Sequence, residues 1–123
     1  MSRESYQCSR DELIAQLREL PNIPEKVKEQ IGRHLDALVP AKNRRLYEIQ
    51  DLLDEHLKTD EGAIEVCEDL IRQAVPGQET QGVERTVQLL YDQIAAYQKA
   101  RALVEDLIRK NSVYYDEDKI FKK

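Results

Sequence analysis

The chain has no tryptophan, a single methionine, a single phenylalanine and only two cysteines in its 123 residues. Cys8 and Cys67 have neither a metal-ligand spacing nor a disulfide framework, so we expect two free thiols. Apolar runs are only a few residues long, which argues against insertion into a membrane. The first residues also lack the charged-then-apolar layout of a secretory signal, so a cytoplasmic location is the expectation.

Glycine and proline are also scarce, with four of each, and most of them separate segments whose apolar residues recur at helical spacing. This pattern predicts an all-α fold, an antiparallel helical bundle of about five helices with a long C-terminal helix. We predict a flexible N-terminal extension at 1–8, a helical bundle domain at 9–110 and a C-terminal tail at 111–123. The helices are predicted at about 10–20, 24–39, 41–58, 60–75 and 82–110.

Two helix boundaries in this prediction depend on capping residues. Ser9 and Glu12 have the spacing of a capping box, which places the first helix start near Arg10. Thr59 or Asp60 is a suitable cap for the fourth helix, and Gly62 weakens helix beside them. The third and fourth helices are therefore expected to be separate.

Charge of one sign is nowhere concentrated in long blocks. The sequence has 19 basic and 24 acidic residues, a net charge of −5. Nucleic-acid binding draws its affinity from clustered lysine and arginine, so this balance argues against a nucleic-acid partner. The densest basic group is Lys42, Arg44 and Arg45, which we interpret as a solvated helix face.

The most informative pattern lies in the predicted fifth helix. Apolar residues are spaced alternately four and three apart over almost four heptads, which is typical of a helix-packing seam. Arg101 is the single polar residue of this seam, where it could pair with Glu105 or with a partner's carboxylate. The first seam consists of Val83, Val87, Leu90, Ile94, Tyr97, Arg101, Val104 and Ile108. A second apolar set lies on another side of the helix and consists of Leu89, Ala96, Ala100, Leu103 and Leu107.

A helix that is apolar on two sides has more apolar surface than one contact needs, and soluble monomers seldom leave such a stripe uncovered. The sequence therefore predicts a non-enzymatic protein–protein interaction module, either a homodimer or a subunit or adaptor of a larger assembly. The tail offers further large side chains for such a contact. The predicted interface comprises Leu89, Leu90, Ile94, Tyr97, Ala100, Arg101, Leu103, Val104, Leu107, Ile108, Tyr114, Tyr115 and Phe121.

Two alternative functions stay open at this point. Helical nucleotide pyrophosphohydrolases hold magnesium with paired carboxylates on adjacent helices, and the chain offers Glu48 with Asp51 and Glu65 with Glu68. An adaptor of the six-helix death-type fold would need the fifth helix to break near residues 98–101.

No other pattern in the sequence indicates chemistry. The histidines, His34 and His56, fall on different predicted helices and in no ligand motif. We expect no metal, no cofactor and no catalytic constellation.

Overall fold

The computed structural model describes residues 2–115, which form helices, turns and loops without a strand. Over that range there are four helices: α1 (Arg3–Arg18), α2 (Glu25–Asp36), α3 (Arg44–Arg72) and α4 (Gln81–Tyr115). The all-helical class and the long C-terminal helix are confirmed. The expected number of about five helices is wrong, because the predicted third and fourth helices are one.

Helix α3 continues through the residues predicted to interrupt it. The Thr59 hydroxyl donates to the carbonyl of Glu55 one turn back, at 3.0 Å, and so does not cap a new helix. Asp60 is buried and Gly62 is exposed, both within the helix. A cap residue or glycine inside a helix costs at most about 1 kcal/mol, less than the packing of a long helix against a partner supplies.

Helix α1 begins at Arg3, so the predicted start near Arg10 is wrong. Ser2 is the cap, and its Oγ accepts a hydrogen bond from the backbone N–H of Ser5 at 3.1 Å. The added turns carry Tyr6, whose buried hydroxyl donates to Asn111 Oδ1 at 2.6 Å. This long-range contact explains why residues 3–8, expected to form a flexible extension, are helical.

Helix α4 takes in residues 111–115, the first part of the predicted tail, while residues 116–123 lie outside the described range. Helix α3 starts later than predicted because Ala41 has a left-handed φ of 71° and Asn43 is held from across the molecule. The Asn111 amide donates to Asn43 Oδ1 at 2.6 Å. The beginnings of α1 and α3 and the end of α4 therefore meet in one buried polar contact.

The four helices form an up-down-up-down bundle in which each helix packs against two others. Helix α1 contacts α2 and α4, and α3 likewise contacts α2 and α4. The pairs Asn43–Asn111 and Asp54–Arg101 show that α3 and α4 run antiparallel, because position numbers rise on one helix as they fall on the other. In both pairs, and in the ring contact between His56 and Tyr97, the two residue numbers have about the same sum, as expected for antiparallel helices in one register.

One hydrophobic core lies between the four helices, in the half of the bundle where α3 begins and α4 ends. It draws on every helix, and its members on α3 and α4 come from residues 46–53 and 96–107. The core comprises Leu17, Leu20, Ile23, Val27, Ile31, Leu35, Leu46, Ile49, Leu53, Ala96, Tyr97, Ala100, Leu103, Val104 and Leu107.

The helices have very different lengths, and this difference sets the shape. At about 1.5 Å per residue, α1 and α2 are roughly 24 Å and 18 Å long, whereas α3 and α4 are roughly 43 Å and 52 Å. Helices α1 and α2 therefore cover only one half of the α3–α4 hairpin. We call residues 2–60 and 96–115 the base, and residues 61–95, which extend beyond it, the arm.

Two glycines of the arm allow a test of these helix bounds. A methyl group added at Gly62 would meet no other atom within 4 Å, whereas Gly77 has a φ of 89° in the turn between α3 and α4. We expect Gly62→Ala to raise the free energy of unfolding by about 1 kcal/mol, because alanine is the better helix former. Gly77→Ala is expected to lower it by about 1 kcal/mol, because a side chain disfavours that φ.

Chemical denaturation of both variants measures the two changes. A loss of stability in Gly62→Ala would contradict a continuous α3.

Candidate functional site

The carboxylates proposed for a magnesium site do not converge. Glu48 and Glu65 lie on one helix, 17 positions apart, which corresponds to about 26 Å along its axis. The two carboxylate pairs therefore cannot bind one ion. Among residues 2–115, no cluster of three or more histidine, cysteine or acidic side chains has the arrangement of a metal site.

Glu48 is instead surrounded by cations. Its carboxylate is within 3.4 Å of Arg44 and 3.1 Å of Arg45, and its Oε2 lies 3.2 Å from His34 Nδ1 on α2. Partial burial opposes ionisation, but the hydrogen bond from Arg45 and the charges of the neighbouring basic side chains outweigh it and lower the pKa of Glu48. The Arg44 and Arg45 group predicted to be a solvated face thus also anchors a carboxylate that faces α2.

The first seam of α4 faces α3, and the second faces α1 in the base. Of the predicted interface residues, five are therefore buried within the monomer's own core, and Ile108 packs against that core. These six do not form a free surface in the described structure. The five buried residues are Tyr97, Ala100, Leu103, Val104 and Leu107.

Arg101 pairs within the chain. Its Nε donates to Asp54 on α3 and its Nη1 donates to Glu105 one turn along α4, both at 2.8 Å. Each member of this group is partly exposed, so its contribution to stability is modest. The pair with Asp54 links α3 to α4.

The remaining predicted interface residues divide between the two ends of α4. Tyr114 and Tyr115 are half-buried against Tyr6, with the rings of Tyr6 and Tyr114 stacked at 4.1 Å. Leu90 and Ile94 are half-buried in the arm. Phe121 lies outside the described residues. Leu89 alone of the twelve predicted interface residues within 2–115 is strongly exposed.

Leu89 belongs to the side of α4 that α1 covers in the base. Leu89 and Leu107 are 18 residues apart, five full helical turns, and therefore point in the same direction. Leu107 is 3% exposed under α1, whereas Leu89 is 63% exposed. The stripe of α4 that α1 covers in the base thus continues into the arm without that cover.

The same relation holds on α3. Leu52 packs against the core and Leu70, five turns further, is 54% exposed. Glu48 faces His34 of α2, and Val66, five turns further, is 61% exposed. Both exposed side chains therefore continue the direction that α2 covers in the base.

These exposed residues share one face of the hairpin. On antiparallel helices, residues that lie opposite each other have a constant sum of residue numbers. This sum is the same for Val66 and Leu89 as for the pair Asp54–Arg101, so Val66 and Leu89 lie at about the same level of the arm. Leu70 lies one turn nearer the tip and the partly exposed Ala63 one turn nearer the base. We call the surface formed by Ala63, Val66, Leu70 and Leu89 the arm face.

No protein-family model, curated protein or solved structure matches this chain. The arm face therefore has to be interpreted from its own chemistry. Sequence reasoning identified Leu89 but missed Val66, because the predicted break at residues 59–62 hid its alignment with the base.

Helix α4 is unbroken through residues 98–101, so the six-helix alternative lacks the break that it needs. Within residues 2–115, no helix has the length and apolar character to cross a membrane.

The arm also differs from the base in charge. Residues 61–95 contain seven carboxylates and two arginines, a net charge of −5 that equals the net charge of the whole chain. The other residues contain 17 acidic and 17 basic side chains and are neutral in sum. Asp69 on α3 and Asp92 on α4 lie toward the two outer edges of the arm face. Glu65 lies on the outer side of α3, and Arg85 is the nearby cation on α4.

A buried acidic group marks the point where the arm leaves the base. Asp60 is 8% exposed, and its Oδ2 is buried without a hydrogen-bond partner among the described residues. Burial raises the pKa of Asp60, and the charge of His56 partly offsets this. Burial, and next the charge of Asp60, raise the pKa of the adjacent Tyr97 to about 12. Because Asp60 and Tyr97 are both buried between helices, this group is not open to a substrate.

Asp60→Asn is expected to stabilise the chain at neutral pH. The folded-state pKa of Asp60 lies above its ordinary value of 3.8, so ionisation opposes folding and stability falls as the pH rises through the folded pKa. We expect the variant to raise the free energy of unfolding at pH 7 by about 1 kcal/mol, a gain that fades as the pH falls through the folded pKa and is absent below about pH 4.

Denaturation between pH 3 and pH 7 measures this difference. Asp51→Asn, at an exposed position on the same helix, is the control and should change little at either pH. A gain of equal size at both ends of the range would contradict the assignment to ionisation.

Proposed function

We propose that this chain is a non-enzymatic protein–protein interaction module that binds another protein through the arm face. The observation that carries the proposal is the comparison of equivalent positions five turns apart. Leu107 and Leu52 are covered by the base helices, and Leu89 and Leu70, which point the same way, are exposed. A helix placed on the arm face would continue the packing that α1 and α2 make in the base.

Two properties of the arm support this proposal. Soluble proteins rarely keep a contiguous apolar surface exposed without a binding role. The arm also has little core of its own, since Ile64 is the one buried apolar residue within 61–95. A partner that covers the arm face would therefore both gain apolar contact and stabilise the hairpin.

The proposal replaces part of the interface expected from sequence. Leu90 and Ile94 belong to the seam between α3 and α4, so substitution there would disturb the hairpin itself. Leu89, Leu70 and Val66 are the positions at which a change affects binding with little effect on folding, because their side chains are already exposed.

Site-directed photocrosslinking in the protein's native cells tests the proposal. A photoreactive residue at position 89 should yield a discrete crosslinked protein that mass spectrometry identifies, because the side chain is in the contact. The same residue at Tyr47, an exposed aromatic position of the base, is the matched control and should not yield that product.

The product from position 89 should also disappear when Leu70→Asp is added, while circular dichroism shows the helices intact. Equal products from positions 89 and 47, or no product from either, would contradict the proposal.

A further inference from the structure

We infer that the partner segment seated on the arm face is a cationic amphipathic helix. This inference rests on the proposed function and adds the chemistry of the partner. It follows from the shape of the arm face, the cover that α1 and α2 provide in the base, and the charge of the arm.

The shape of the face fits a helix. In the base, the same side of the hairpin receives α1 and α2, whose apolar residues Leu17, Val27 and Ile31 enter the core. The arm presents a row of three residues on α3, Ala63, Val66 and Leu70, with Leu89 of α4 beside it. A groove between two helices accepts the apolar side of a third helix, whose anchors recur at intervals of three and four residues. The α3 part of the arm is about 20 Å long, so a partner helix of about 15 residues spans it.

The charge of the arm selects the sign of the partner. All seven carboxylates of residues 61–95 are exposed, and of the two arginines Arg72 is paired with Asp69. Basic residues flanking the apolar side of a partner helix would lie over Asp69 and Asp92, at the edges of the arm face. Such complementarity speeds association and disfavours partners of the wrong sign.

The same charge disfavours pairing of two arms. Two copies joined through their arm faces would bring together two arms that each carry a net charge of −5. Like charges held within a Debye length of about 8 Å repel at physiological salt. A second copy therefore fits the arm face less well than a basic segment of another protein.

Binding of designed peptides to the full chain tests the inference by fluorescence anisotropy. The first peptide, of about 18 residues, has leucines along one helical side and lysine and arginine elsewhere. The second keeps the leucines and has glutamate at every basic position, and the third is a scramble of the first without an apolar side. We expect the first to bind at least about ten-fold more tightly than either of the others.

Two arm variants and two base variants locate the site. Asp69→Lys with Asp92→Lys, and separately Leu70→Ser with Leu89→Ser, should each weaken the first peptide about ten-fold. The matched base pairs, Glu29→Lys with Asp51→Lys and Val39→Ser with Tyr47→Ser, should leave its affinity unchanged. Affinity should also fall as salt is added.

The inference is overturned if the first peptide fails to bind, if the acidic or scrambled peptide binds equally well, or if base variants weaken binding as much as arm variants. Crosslinking from position 89 separates this failure from failure of the proposed function. A crosslinked partner whose contact segment is acidic, or a crosslink to a second copy of the chain, would contradict the inference of a cationic helix. Either result would still support the proposed interaction module.

Discussion

The antiparallel packing of α3 against α4 is the interaction on which the rest of the structure depends. Within the base, Tyr97, Val104 and Ile49 are almost completely buried. The pair Asp54–Arg101 links the two helices and marks their register. Helices α1 and α2 then have a fixed surface to cover, and the contact between Tyr6 and Asn111 fixes where that cover begins.

Unequal helix length turns this packing into a two-part molecule. The base has four helices around one core and is neutral, whereas the arm has two helices, one buried apolar residue and the full net charge of the chain. Asp60 lies at the boundary, where a buried carboxyl weakens the hairpin at neutral pH. A segment with little core and an exposed apolar face opens more easily than the rest of a fold, which suits a binding element.

The helical class, the long α4 and its two apolar sides could be predicted from the sequence, because heptad spacing reports helix faces directly. The single α3 could not, because Thr59, Asp60 and Gly62 have the chemistry of a helix boundary and packing against α4 overrides it. The start of α1 was missed for a similar reason, since Tyr6 is ordered by contacts with residues more than 100 positions away. Leu89 could be identified as an apolar residue of α4. That it is exposed while Leu107 is buried depends on the length of α1, and the sequence pattern of α4 carries no information about that length.

Native-state hydrogen exchange of the isolated chain tests most directly the claim that the hairpin is covered in the base and bare in the arm. We expect amides at residues 46–57 and 97–108 to exchange only through global unfolding, and amides at 64–71 and 83–93 to exchange much faster through local opening. Protection of the arm equal to that of the base would contradict this account, because it would mean that the isolated chain already covers the arm.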